Sequence, residues 1–218
     1  MSPTLKQEPA PPIAAASLIL LRPGRAGLEV LLLERAAGLA FAGGALVFPG
    51  GRVDPADHAA IAGADDPAEA AARRAALRET AEETGLVLSG SQAARLVPFA
   101  HWIAPADLPR RFDTRFYVVE APAGAEPRAD GVEAVAAGWF APATALDPGH
   151  RLLFPTRRIL ERLACSPDLD AALAEARRHP PRPITPWIEE RAGELWACIP
   201  DDAGYPVTAE RLSTAVRA

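Results

Sequence analysis

Apolar residues come in dense runs early in the chain and at helical spacing later. Ser17-Leu18-Ile19-Leu20-Leu21, the turn signal Pro23-Gly24 and then Leu28 to Leu33 predict two strands, joined as a hairpin through a short loop containing Gly27. A glycine-rich stretch follows, Gly43-Gly44 through Phe48-Pro49-Gly50-Gly51, and then a polar segment ending at Asp65-Asp66-Pro67, which reads as loop. From Pro67 to Thr84 the pattern predicts a long helix. Asp66 caps it, Pro67 takes the first position, Glu69 completes a capping box and Gly85 stops it. Further strands are predicted at Leu86–Leu88, Leu96–Ile103, Arg115–Val119 and Val135–Phe140, and helices at Thr156–Ala164 and Asp168–Arg178. Strands around an early helix, then late helices, imply a layered α/β domain, and no internal repeat is visible.

The 218 residues suit one large domain or a core with an extension. Pro3, Pro9, Pro11 and Pro12, with little apolar bulk, make residues 1–12 a disordered Pro-rich tail. The run Ile13–Leu21 is about half of the roughly 20 residues that a membrane helix needs, and Arg22-Pro23-Gly24-Arg25 stands where a signal peptide would carry its cleavage site. No membrane association is expected. A formal charge of −5 argues against nucleic acid as the main partner. Lys6 is the only lysine, so the positive charge is almost all guanidinium, which favours forked contacts to phosphate or carboxylate. Cys165 and Cys198 form neither a disulfide framework nor a zinc knuckle, and a reducing cytoplasm fits them.

Within the long helix, Glu79, Glu82 and Glu83 fall at i, i+3 and i+4, which brings the three carboxylates to one side. Like charges so spaced cost a few tenths of a kcal/mol per pair (roughly), a repulsion that a divalent cation relieves. Mg²⁺ suits such a set because it fills its remaining positions with water and phosphate oxygens, which points to diphosphate chemistry. An ordinary solvated helix face is the alternative. Arg78 is spaced to orient Glu82.

The run Arg78-Glu79-Thr80-Ala81-Glu82-Glu83-Thr84-Gly85-Leu86 resembles the second half of the Nudix box. That pattern reads G, five residues, E, seven residues, then R-E-U-x-E-E-x-G-U, with U bulky and apolar. Thr80 departs mildly at an apolar position. Counting back from Arg78 puts the family's isolated glutamate at Ala70 and its glycine at Ala64, and neither matches. An insertion between Gly51 and the helix accounts for this, with Gly51 as the motif glycine. Glu69, one residue from the expected glutamate, is read as a capping residue and not as a site residue.

Upstream, Leu31-Leu32-Leu33-Glu34-Arg35-Ala36, Gly44 and Phe48-Pro49-Gly50-Gly51 resemble the coenzyme A signature of acyl-CoA diphosphatases in that family. Leu33 replaces its Thr and Ala40 its second Arg. His101-Trp102-Ile103-Ala104-Pro105, the run Arg110 to Phe116, and Phe154-Pro155-Thr156 are similar to the branch containing the peroxisomal acyl-CoA diphosphatase of animals. His101 by itself reads as a packed strand residue, and Arg110, Arg111 and Arg115 either as surface charges or as substrate contacts.

The resemblance implies a Nudix α/β/α sandwich with a mixed sheet over residues 13–218, of which 150–218 form a C-terminal helical extension. It implies a Mg²⁺- or Mn²⁺-dependent diphosphatase that cleaves coenzyme A or acyl-CoA to 3′,5′-ADP and an (acyl-)4′-phosphopantetheine. Glu79, Glu82 and Glu83, with Gly51, are expected to hold metal, Arg78 to support them, and Arg35, Gly44, Phe48, Gly50 and Gly51 to line the binding site. Glu133, in a loop before Trp139-Phe140, is the candidate base, with a solvated loop carboxylate as its alternative. Two other functions remain open: hydrolysis of another nucleoside diphosphate derivative (ADP-ribose, a nucleotide sugar or NADH), which the loss of Arg at position 40 favours, and a non-catalytic binding protein. A homodimer is compatible with the sequence, which does not set the oligomeric state.

Overall fold

A computed structural model describes residues 10–25, 27–39, 42–59 and 64–215. Most of the expected tail, residues 1–9, lies outside these, as does Ala40.

The chain opens with β1 (Ile13–Gly24) and β2 (Gly27–Arg35), the expected hairpin, pairing Leu21 with Val30 and Gly24 with Gly27. Short strands β3 (Ala45–Val47) and β4 (Gly50–Arg52) and a short helix α1 (Pro55–Ala59) follow. The sequence reading had no strands in the glycine-rich stretch and only loop after it. These elements are too short to show a period and are held by pairing with distant residues.

The long helix α2 (Pro67–Thr84) is as expected at both ends: the Asp66 side chain accepts from Glu69 N, and Gly85, at φ 70°, returns its N–H to Ala81 O. Ala71, Ala72, Ala75 and Ala76 are buried, so the helix lies on the sheet through a face of small side chains. Thr80 is also fully buried. Its hydroxyl donates to Ala76 O at 2.7 Å, so a polar residue fills an apolar position without an orphaned group.

Leu86–Leu88 is not a strand. Leu86 is buried in the α2-side core, Leu86 N donates to the Thr84 hydroxyl, and Ser89 caps α3 (Gly90–Ala93), so the segment serves as a helix-to-helix turn. Next come β5 (Val97–Ile103), β6 (Phe112–Glu120), β7 (Ala134–Phe140), α4 (Pro142–Ala145), β8 (Arg151–Leu152), α5 (Phe154–Ala164) and α6 (Leu169–Arg178). Beyond α6 the extension is not helical. It continues as β9 (Pro183–Ile184), β10 (Trp187–Arg191), β11 (Glu194–Cys198) and β12 (Ala209–Arg211).

The main sheet runs β8-β3-β2-β1-β6-β5-β9, with β4 on β1 and β7 on β2. It is mixed: β1 lies parallel to β6 and antiparallel to β2 and β4. Strand β1 explains the architecture. Ile19 and Leu21 point into one core with α5, α6 and the C-terminal residues, while Ala16, Leu18 and Leu20 point into a second core under α2. A strand covered on both faces carries an unbroken apolar run, as seen here, and the result is a three-layer sandwich. Strands β10–β12 form a separate antiparallel sheet whose Ala197 and Ile199 join the first core. Among the described residues no helix is long and apolar enough to cross a membrane.

Candidate active site

Strand β4 sits under the C-terminal half of α2, and the carboxylates meet the glycines there. Gly50 N donates to Glu83 Oε2 at 2.9 Å. A Cβ on Gly51 would stand 2.4 Å from the Glu79 carboxyl carbon, and one on Gly50 would stand 2.5 Å from Ala16 O. Only glycine admits this spacing. Burial drives the Glu83 carboxyl up to about 7, helped by the Glu79 charge and opposed by the Gly50 N–H. Burial also lifts Glu79, against the pull of Arg78.

Arg78 anchors the other side. Its Nη1 reaches Glu79 Oε1 at 2.9 Å and Glu82 Oε2 at 3.1 Å, and its Nη2 reaches Arg52 O at 3.0 Å. It also grips Asp57, through Nη2 to Oδ2 at 2.9 Å and Nε to Oδ1 at 3.3 Å. Asp57 is only 3% exposed. Burial would raise its carboxyl, but Arg78 and the Asp54 N–H together hold it below the ordinary value. Asp57 was missed by the sequence reading, although the signal existed: counted forward from Gly51, five residues then an acid ends on Asp57. The insertion therefore follows Asp57, and 20 residues separate it from Arg78 where the family pattern has seven.

Arg35, at the end of β2, and Glu133, in the loop before β7, come together across the sheet, Nη2 to Oε2 at 3.4 Å. Asp130 fixes the Glu133 loop by accepting from the N–H groups of Val132, Glu133 and Ala134. Arg35 is largely buried, its Nε has no hydrogen-bond partner, and it lines a cavity of about 200 Å³ with Phe48 and Gly50. Gly44 and Gly51 are not on that wall. Gly44, at φ 71°, shapes the turn whose N–H returns to Arg35 O. Of the later arginines only Arg110 lines the cavity, while Arg111 donates to Ala104 O and Ala10 O and Arg115 to Glu69. His101 Nε2 lies 2.5 Å from Asp113 Oδ1 on the neighbouring strand.

Glu69 does not complete a capping box. Its backbone N–H takes the Asp66 cap, but its carboxylate accepts from Arg73 Nε at 2.9 Å, Arg115 Nη1 at 2.8 Å and Tyr117 OH at 2.9 Å, tying α2 to β6.

The donor set at the glycine strand is all hard oxygen, two of its carboxylates are burdened by burial and mutual charge, and the missing side chain of Gly51 lets the Glu79 carboxylate lie against the strand backbone. These features fit a divalent cation. Among the described residues no three acidic, His or Cys side chains already converge on one point. Glu79 and Glu82 are turned to Arg78 instead.

A family model described as NUDIX domain matches residues 11–162. A Caenorhabditis elegans protein with the provisional name nudix hydrolase 7 is 28% identical over 230 residues, covering 88% of this chain and 74% of that one. The crystal structure of a NUDIX hydrolase from Alicyclobacillus acidocaldarius superposes with a TM-score of 0.66 at 28% identity, over 76% of this chain and 96% of that one. A MutT NUDIX hydrolase from Burkholderia pseudomallei gives 0.51 at 26% identity, over 70% and 98%.

Proposed function

The chain belongs to the Nudix family and is a hydrolase of phosphorus-containing anhydrides, and from that premise we propose that it cleaves the diphosphate of coenzyme A or an acyl-CoA. The observation that carries this reading is the double role of Gly50. Its N–H holds Glu83, and the same residue lines the cavity that Arg35 and Phe48 share, so the coenzyme A-like signature and the carboxylate helix meet at one residue.

Glu79, Glu82 and Glu83, with the Gly51 backbone, would hold Mg²⁺ or Mn²⁺. Such an ion supplies charge neutralisation of the diphosphate and lowers the pKa of water. Arg78, fixed by Asp57, keeps Glu79 and Glu82 oriented when they turn to a cation. Arg35 offers its guanidinium to an anionic oxygen of the substrate. Glu133 is exposed, held by its loop and close to Arg35, and takes the proton from the water that attacks phosphorus as the bridging P–O bond breaks. Leu33, in place of the signature Thr, is fully buried in β2, so that departure alters packing and not the cavity wall. Cys165 and Cys198 are both free thiols, which suits a cytoplasmic enzyme.

The test is phosphorus-resolved product analysis with Mg²⁺ on CoA, acyl-CoA, ADP-ribose and NADH. Release of 3′,5′-ADP from CoA is expected. Turnover of ADP-ribose or NADH alone would transfer the assignment to another nucleoside diphosphate derivative, the reading that Ala40 favours.

A further inference from the structure

The cavity beside Gly50 is completed by residues beyond the span that the family model matches. Pro186 precedes β10, and Ile188 and Ala197 are direct cross-strand partners on β10 and β11; all three line it. The wall is anchored. Ala197 and Ile199 are buried in the core, Trp102 Nε1 donates to Tyr205 OH at 3.1 Å, and Arg158 reaches Glu210 at 3.1 Å and Val207 O at 3.3 Å. The small sheet thus forms a fixed side of the cavity.

The chemistry of the lining selects its occupant. Its side chains include no carboxylate, amide or imidazole; beyond the guanidiniums of Arg35 and Arg110, its polar side chains are the hydroxyls of Ser17, Thr114 and Thr156 and the Trp102 indole N–H, which Tyr205 already takes. A nucleobase edge presents paired donors and acceptors that would lose water here without matched partners. A hydrocarbon acyl chain has no hydrogen bonds to lose and gains burial against the aromatic and aliphatic wall.

We propose that this cavity takes the acyl chain of the substrate, and that Ile188 on the C-terminal sheet limits the acyl length that fits. The inference rests on the diphosphatase reading, because Gly50 puts the cavity next to the reacting diphosphate. Ile188 lines the space and is only partly buried at the edge of the core, while the fully buried Ala197 and Ile199 anchor the sheet, so the Ile188 side chain can change size while the sheet stays in place.

The experiment measures kcat/KM for CoA and a series of acyl-CoAs of increasing chain length, in wild type, Ile188→Trp and Ile188→Ala. Ile188→Trp should lower kcat/KM for the longer acyl-CoAs by about tenfold or more, with free CoA nearly unchanged, and Ile188→Ala should move the preferred length upward. Melting temperatures and far-UV circular dichroism identify any variant that has not folded, and Ile188→Ala then carries the test alone. Parallel loss across all substrates, free CoA included, or an unchanged length profile, would overturn the inference and leave the diphosphatase reading standing. Calorimetric binding of a long-chain acyl-CoA to metal-free protein separates the two: if wild type hydrolyses no CoA yet binds the acyl-CoA and Ile188→Trp weakens that binding, the diphosphatase reading fails and the cavity assignment survives.

Discussion

Asp57 and Arg78 make a two-pronged contact, 2.9 Å and 3.3 Å, between a helix of five residues and one of 18. The same guanidinium holds Glu79 and Glu82, so Asp57 governs the orientation of carboxylates it never touches. A shorter acid at the sixth position after Gly51 thus supports the arginine of the box, across an insertion that displaced it in sequence but not in space.

Asp57→Asn keeps the shape and one acceptor but leaves Arg78 short of a buried partner. We expect a loss of about 1–3 kcal/mol, less than for a fully buried pair because Arg78 is partly solvated, and a fall in kcat of about tenfold or more. Thermal melts and kinetics check both. Full kcat with a lowered melting temperature would make the contact purely structural.

Glu83 links pH to stability. Its folded value of about 7 lies above the ordinary 4.5, so between those limits the folded protein keeps a proton that the unfolded chain has released. Stability of the metal-free protein should therefore fall as pH rises through this window, by up to about 3 kcal/mol. Glu83→Gln keeps an acceptor for Gly50 N–H and should flatten that slope, raising the melting temperature at pH 8 while abolishing most turnover. Added Mg²⁺ should stabilise wild type more at pH 8 than at pH 6. Identical pH profiles for wild type and Glu83→Gln would exclude this account.

Arg35→Ala should raise KM for CoA much more than it lowers kcat, since a group that grips an anionic oxygen equally in the ground and transition states contributes uniform binding. Dephospho-CoA will respond less if Arg35 meets the 3′-phosphate. An equal loss for both substrates places Arg35 on the diphosphate, and no loss for either removes it from the binding site.

The sequence shows most where a segment carries its own signals. Asp66, Pro67 and Gly85 mark both ends of α2, and the dense run of β1 marks a buried strand. It shows least where partners are distant. Strands β3 and β4 are three residues each, and their identity comes from pairing with β2 and β1. Strands β10–β12 alternate weakly and become a sheet through mutual pairing and the anchoring of Ala197 and Ile199. Asp57 is masked by the insertion that leaves 20 residues between it and Arg78, while its spacing from Gly51 is intact.

Glu69 gives the last prediction, because its local sequence and its contacts point to different roles. Asp66-Pro67-Ala68-Glu69 satisfies the rules for a helix start, yet only the backbone of Glu69 takes part in the cap; its carboxylate is shared among Arg73, Arg115 and Tyr117. None of these lines the cavity, and Arg78 turns to Asp57 instead. Glu69→Gln should therefore cost more than the small loss expected of a cap residue, about 1–2 kcal/mol, since an amide leaves two guanidiniums without their countercharge, and partial exposure keeps the figure modest. Burial, followed by the Glu69 charge, holds the Tyr117 hydroxyl above its ordinary value, so it stays a donor throughout the working pH range. The variant's kcat should match wild type while its melting temperature drops, and Arg115→Ala on top of Glu69→Gln should cost little more than either change alone. A tenfold fall in kcat at an unmoved melting temperature would instead make Glu69 part of the catalytic machinery.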